Sequence, residues 1–443
     1  AKLLGDNISA GQIAWSRFFI QTILMCPVFF WVLRKNKTKK VFLQAMRGIL
    51  IAATTVLIFA SVKIMPLAEV ISIFFIEPLL VTILSVMILG EKLGWRRLAA
   101  TTIGFFGALI VVQPGIWVVA AAAGLDWLIG DPARVVHPVV VMGWFIKTLR
   151  SLLEWVVGND PFALRLGGGL ITMAVVLGSG TVGWAIERLC FAPAPIHALG
   201  WSLLLIGLAS ALAARSLRSS VRAVIQALPT TLGEGDLTTA RQRLSWIVGR
   251  DVSELNEQEI LRATAESASE NAVDGLFAPL FWMLLGLALW RIRPDLPGPL
   301  ALAWAFKASS TLDSMLGYRT GRLYWMGTAG ARLDDLLTWI PCRIVMVTLP
   351  LVAQPWSQWF EFVRAAERDG APDPSPNAGR SEASFAHCAG IRLGGRNRYG
   401  ANWVNKPILA EDCPPPDRTA IMRVLNLNLK LELFWLLGVI LIW

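Results

Sequence analysis

The chain has 443 residues, 55% of them hydrophobic and 16% charged, with a mean hydropathy of +0.56. A soluble domain carries about 25% charged residues, so a soluble globular protein is excluded and an all-α, polytopic integral membrane protein is expected. The net charge of +10 reads as positive-inside loops helped by anionic substrates; nucleic acid is the weaker reading, because no basic-aromatic binding module appears.

In chain order, apolar segments of spanning length are expected at 11–33, 47–64, 67–89, 97–113, 116–130, 169–186, 197–214, 276–291, 336–353 and 430–443. Trp often lies near their ends, as interfacial anchors do. Cys26, Cys190, Cys342, Cys388 and Cys413 are scattered without a CxxC pair, and histidines are few, which points to neither a zinc cluster nor a disulfide framework. No cleavable signal peptide precedes the first segment. A start at Ala1 rather than Met reads as truncated.

The chain changes character at "VVQPGIW" (Val111–Trp117), where Pro114-Gly115 is a natural breaker. Before it, "RKNKTKK" and "GEKLGWRR" flank a short, nearly uncharged connection, so positive-inside logic places both basic loops in the cytoplasm. On that count "GDPARVVHP" (Gly130–Pro138) also faces the cytoplasm. The run "MPLAEVISIFFIEPLLVTILSVMILGEKLGWRRLAATTIGFFGALIVVQP" resembles one half of an EamA-type drug/metabolite transporter, over residues 1–114. Such transporters resemble a duplicated five-span unit; here four spans are expected and no second copy follows. Glu69 and Glu77 are candidate substrate-path residues, or groups satisfied at the interface and by a neighbouring helix.

Residues 115–443 form the second expected domain, in which spans alternate with charged, glycine-bearing stretches. "GLDWLIGDPARVVHPVVVMG" places Asp126, Asp131 and His137 just past a span. "ARQRLSWIVGRDVSELNEQEILRATAESASENAVDG" reads as helix, turn, helix, with Gly249 ending the first and the second starting after Asp251 or Ser253. Its Arg250 offers an anion contact, and Glu266, Glu270 and Asp274 recur at i, i+4, i+8 as one acidic stripe. "FKASSTLDSMLGYRTGRLYWMGTAGARLDDLLTWIPCR" sets Lys307, Arg319 and Arg332 among Asp313, Asp334 and Asp335. The adjacent Asp334-Asp335 pair suits Mg²⁺, which favours a few carboxylates plus substrate phosphates. The bland alternative is an interfacial helix with its charges in water. "PNAGRSEASFAHCAGIRLGGRNRYG" reads as a Gly- and Arg-rich loop around a short helix, able to cradle an anion on backbone N–H groups. No Walker A pattern occurs, so any nucleotide is held by another arrangement.

Together "LDWLIGDP…HPV…MG", "ARxxLxxIVGRD", "ESxxENxxDGxxxPLF", "TLDSMxGY", "ARLDDLLxWIPxR" and "PNAGxxEAxFA…GIRLGG…RYG…KP" resemble the CobD/CbiB family of membrane-bound adenosylcobinamide-phosphate synthases, over residues 117–443. The resemblance implies cobalamin biosynthesis: ATP- and Mg²⁺-dependent amide formation between a corrinoid substrate, adenosylcobyric acid, and aminopropanol phosphate. Phosphoryl transfer needs charge neutralisation, so Asp334 and Asp335 are expected to hold the metal, with Lys307, Arg319 and Arg332 around the phosphates. Glu266 or Glu270 serves as base, with Asp274 and Asp313 in the same catalytic set. Arg250 or Arg380 grips the aminopropanol phosphate, and His137, Asn271 and Asn377 complete the substrate contacts. The chain departs from the family pattern at Ser310, Cys342 and His387. The resemblance also implies a multi-pass protein of the inner (plasma) membrane with its site toward the cytoplasm, and the lipid bilayer and other corrinoid-assembly enzymes as partners. The basic stretches 215–275 and 355–429 both belong on that side, so one of 276–291, 298–308 and 336–353 is expected to be interfacial or re-entrant. A small-molecule transporter, or a fusion in which residues 1–114 are a passive anchor, remain the alternatives.

Overall fold

The computed structural model describes Gln12, Trp15, Ser16 and residues 18–23, 41–64, 116–130, 137–193, 195–229, 235–318, 320–353, 355–399 and 402–442. The chain divides into two compact units, Ala1–Gly115 and Ile116–Trp443. In the first unit, helix α1 (Val41–Ile64) covers the expected span 47–64. The expected spans 67–89 and 97–113, with Glu69 and Glu77, lie outside the described residues, as do Asp131 and Arg319.

The second unit is helical almost throughout. It runs through α2 (Ile116–Ile129), α3 (Pro138–Val157), α4 (Pro161–Leu189), α5 (Ile196–Ala209), α6 (Ala214–Gln226), α7 (Thr238–Leu244) and α8 (Glu257–Ala272). A π-helical turn (Val273–Phe277) leads into α9 (Ala278–Ile292), then α10 (Pro299–Leu316), α11 (Leu323–Met326) and α12 (Thr328–Val352). The rest is α13 (Trp359–Gly370), α14 (Ala378–Ala389), the hairpin β1 (Leu393–Tyr399) and β2 (Asn402–Leu409), and α15 (Arg418–Ile442).

Among the described residues, four helical stretches are long and apolar enough to cross a bilayer: Pro161–Leu189, Ile196–Gln226, Glu257–Ile292 and Thr328–Val352. Trp144, Phe145 and Trp155 on α3, and Phe162, Leu166 and Leu170 on α4, point outward. So wide an apolar face suits lipid and not water. This is a membrane protein. Helix α2, within the span expected at 116–130, has 14 residues as described, shorter than the roughly 20 that a crossing needs. Of the three stretches among which one is expected to be interfacial or re-entrant, 276–291 and 336–353 belong to the four and α10, near 298–308, does not.

Helix α4 lies close against α10 because Gly183 has no side chain; a Cβ there would sit 2.9 Å from the Ala301 backbone. One turn on, the buried Glu187 accepts from the N–H groups of Gly298 (2.8 Å), Leu300 (2.6 Å) and Ala301 (3.0 Å). A carboxylate from a neighbouring helix thus satisfies the orphan donors that begin α10. Close approaches run from Gly327 to Leu316 and then from Gly330 to Leu312, so α10 and α12 are antiparallel neighbours.

Helix α8 starts later than expected. Asn256 is its N-cap, and Asn256 with Glu259 forms a reciprocal capping box. Its predecessor α7 ends at Leu244, before Gly249. The short helix expected within the Gly- and Arg-rich stretch is α14, and the loop expected after it is instead a strand. In the hairpin Leu393 pairs with Leu409 and Gly395 with Lys406, with a bulge between. Gly394 has φ +84°, and a Cβ there would lie 1.9 Å from the Pro407 carbonyl oxygen, so only glycine fits.

Candidate active site

The acidic stripe of α8 divides in two. Glu266 is almost fully buried and belongs to structure: it forms ion pairs with Arg250 and with Arg262 (3.1 Å) and accepts the Gly394 N–H at 2.9 Å. Arg262 in turn donates to the Gly394 carbonyl at 2.6 Å, so the bulge is clasped to α8. The Gly394 amide expected to cradle a ligand anion is therefore held by the chain's own carboxylate. Arg250 also donates to Asn397 on β1. Its guanidinium is committed inside the fold, which corrects the expectation that it grips a phosphate.

Glu270 and Asp274 turn to other partners. The π turn inserts an extra residue per turn just where Asp274 stands, and such bulges recur at functional sites. The charged neighbours of Asp274 are Asp334, Glu270, Lys307 and Asp313. Asp313 also faces Asp335 and Glu270, and Asp334 faces Asp313, Asp335 and Lys307. Three elements (the π turn with the end of α8, α10 and α12) thus bring five carboxylates and one lysine together. Consecutive helical residues diverge by about 100°, so Asp334 and Asp335 present different faces: Asp274 is a charged neighbour of Asp334, and Asp335 is the leading one of Asp313. Asp334 Oδ1 is buried with no hydrogen-bond partner. Among the described residues, no three His, Cys, Asp or Glu side chains converge tightly enough to hold a metal unaided. A cation here needs oxygens from elsewhere, as Mg²⁺ takes from substrate phosphates, and the unpartnered Asp334 oxygen fits that need.

The remaining expected residues fall outside this cluster or support it. Asn377 donates to the Asp335 carbonyl at 2.8 Å and accepts from Arg343 at 2.6 Å, while Arg343 also donates to the Pro376 carbonyl at 3.0 Å. Both ends of its amide are used to tie α14 to α12, so Asn377 positions the aspartate pair and is not open to substrate. Arg380 is paired with Glu367 through two bonds of 2.7 and 2.6 Å, a correction to its expected phosphate role. The same guanidinium holds the Glu367 carboxyl below its ordinary range. Asn271 is exposed and bonds back to Ser267. His137 caps α3, its Nδ1 accepting from the Val139 N–H at 3.3 Å. Arg332 is exposed. His387 is hydrogen-bonded to Asp369 at 2.8 Å.

Sequence reasoning missed a buried group beside the stripe. Lys406 on β2 lies 3.3 Å from Asp373 and 3.4 Å from the buried Glu382, with Glu270 also among its charged neighbours. Burial alone would lower Lys406, but these carboxylates raise it above the ordinary lysine range. One ammonium does not neutralise three carboxylates. Burial, against the pull of Lys406, pushes Glu382 well above its ordinary value. The "EA" and "KP" of the quoted motifs were the available signal.

The CobD/Cbib protein family matches residues 119–428, and the EamA-like transporter family matches residues 1–113. The chain belongs to the CobD/CbiB family. Relatives bear the family's name: the cobalamin biosynthesis protein CobD of Synechocystis sp. is 41% identical over 313 residues, 69% of this chain and 87% of its own. CobD of Klebsiella pneumoniae is 37% identical over 71% of this chain and 94% of its own, and CbiB of Salmonella arizonae 36% over 71% and 96%. No solved structure matches. Membership places the chain in cobalamin biosynthesis, with a corrinoid substrate and a bilayer around it.

Proposed function

We propose that this chain joins the carboxylate of adenosylcobyric acid to the amine of (R)-1-aminopropan-2-ol phosphate, consuming ATP with Mg²⁺, to give adenosylcobinamide phosphate. The observation that supports this most directly is the cluster of Glu270, Asp274, Asp313, Asp334 and Asp335, with Lys307 beside Asp274 and Asp334 and one buried carboxylate oxygen left unpartnered. A carboxylate is a poor acylating agent. Its oxygen first attacks the γ-phosphorus of ATP, ADP departs, and an acyl phosphate results. The amine then attacks the acyl carbon, phosphate leaves with the C–O electron pair, and the amine proton passes to a base.

Phosphoryl transfer needs positioning and charge neutralisation more than covalent help. Asp334, with Asp335 and Asp274 beside it, would hold Mg²⁺, which supplies charge neutralisation at the phosphate oxygens when bound. Lys307, facing the same carboxylates, adds positive charge for those oxygens. Glu270 is the base, since Glu266 is occupied by two arginines and an amide. The site lies on the cytoplasmic side of the plasma membrane, where ATP and the basic loops are. Asp334→Asn and Asp274→Asn should each lower amide formation by at least about 100-fold while the protein still inserts. Near-wild-type rates in both would refute the assignment.

A transport role is favoured only by the EamA-like match, and it is confined to residues 1–113.

A further inference from the structure

Buried threonines on these helices follow one habit. Thr172, Thr264 and Thr311 donate to the carbonyl one turn back at 2.8, 2.7 and 2.7 Å, and the half-buried Thr348 does so at 2.6 Å. Thr338 on α12 does not. It is 1% exposed, and its Oγ1 is buried without a hydrogen-bond partner. Asp334, whose Oδ1 is in the same condition, lies one turn before it, and Cys342 one turn after. Asp274 is a charged neighbour of both Asp334 and Cys342, the residues one turn before and one turn after Thr338.

We propose that the Thr338 hydroxyl is a ligand of a divalent cation held with Asp334 and Asp274. The inference rests on reading this cluster as the nucleotide and Mg²⁺ site, and it adds a residue to that site. Mg²⁺ takes hard oxygen ligands and usually only one or two carboxylates. A hydroxyl supplies a further oxygen without adding another buried negative charge to a set already rich in them. Ser and Thr hydroxyls serve the same ion in phosphate-binding loops of quite different shape. If Thr338 were there only to pack, an isosteric apolar side chain would serve the core better, because no hydroxyl would be left unpaired.

The test is a titration of the full-length protein in detergent with Mn²⁺ and ATP, following free Mn²⁺ by electron paramagnetic resonance. Wild type and Thr338→Ser should bind Mn²⁺ alike, whereas Thr338→Val should bind roughly tenfold more weakly, the lower end of what altering a metal site's support costs. Thr338→Ala carries the same expectation should the valine variant fail to fold. Metal-free melting of Thr338→Val at or above the wild-type temperature is the accompanying sign of an intact core. Unchanged Mn²⁺ affinity in the valine and alanine variants, loss in the serine variant equal to theirs, or no Mn²⁺ bound by wild type with ATP would each overturn the proposal. Amide formation is read separately. A Thr338-dependent Mn²⁺ site in a protein that makes no amide upholds the ligand and sinks the reaction; amide formation with unaltered Mn²⁺ affinity does the reverse.

Discussion

Glu266 and Glu270 stand one turn apart on α8 and have opposite fates. Glu266 compensates two guanidiniums, Arg250 at 8% and Arg262 at 16% side-chain exposure. Breaking a buried pair leaves uncompensated charge behind, so Glu266→Gln should destabilise by roughly 3–5 kcal/mol in detergent unfolding. Glu270→Gln should instead lower amide formation with little change in unfolding temperature. Equal melting losses in the two variants would contradict the division of labour. Glu382 contributes a pH dependence of stability. Its folded pKa lies above its unfolded one, so the folded state binds the proton more tightly, and this contribution is full below the ordinary glutamate value. It is lost as pH rises from about 4.3 through the raised value. The unfolding temperature should therefore fall over that window, and Glu382→Gln, which cannot ionise, should flatten the fall.

Among the elements, α10 matters because it carries Lys307 and Asp313 while beginning on a carboxylate from another helix. Glu187→Ala leaves three N–H groups without their acceptor and should cost about 1–3 kcal/mol, measured by unfolding, with amide formation falling in parallel. The elements were unevenly legible. The stripe at i, i+4, i+8 was visible, and so was its helix, but the start of α8 was misplaced because Gly249 outweighed the Asn256–Glu259 box. The π turn leaves no periodic trace, so the different aim of Asp274 came only from the fold. Strand β1, "LGGRNRY", lacks the β-branched residues that announce a strand. Pairing across the hairpin, not composition, creates it, and with it comes the Lys406 cluster. Arginines cannot be sorted into ligand-binding and structural ones by sequence, since Arg250 and Arg380 find their carboxylates through distant contacts.

For the whole molecule, the match to the CobD/Cbib family begins at residue 119, and relatives such as those of Klebsiella and Salmonella are covered over 94% and 96% of their length by about 71% of this chain. A chain starting at Ile116 should therefore insert and form amide at the wild-type rate; loss of activity would show that residues 1–115 serve the enzyme. The central claim is the reaction itself, and one measurement reaches it. Membranes containing the chain are given adenosylcobyric acid, aminopropanol phosphate, ATP and Mg²⁺, and the amide is sought by mass. The account predicts adenosylcobinamide phosphate that disappears without ATP and in Asp334→Asn. No product from inserted, folded wild-type protein, or product indifferent to Asp334, would contradict it.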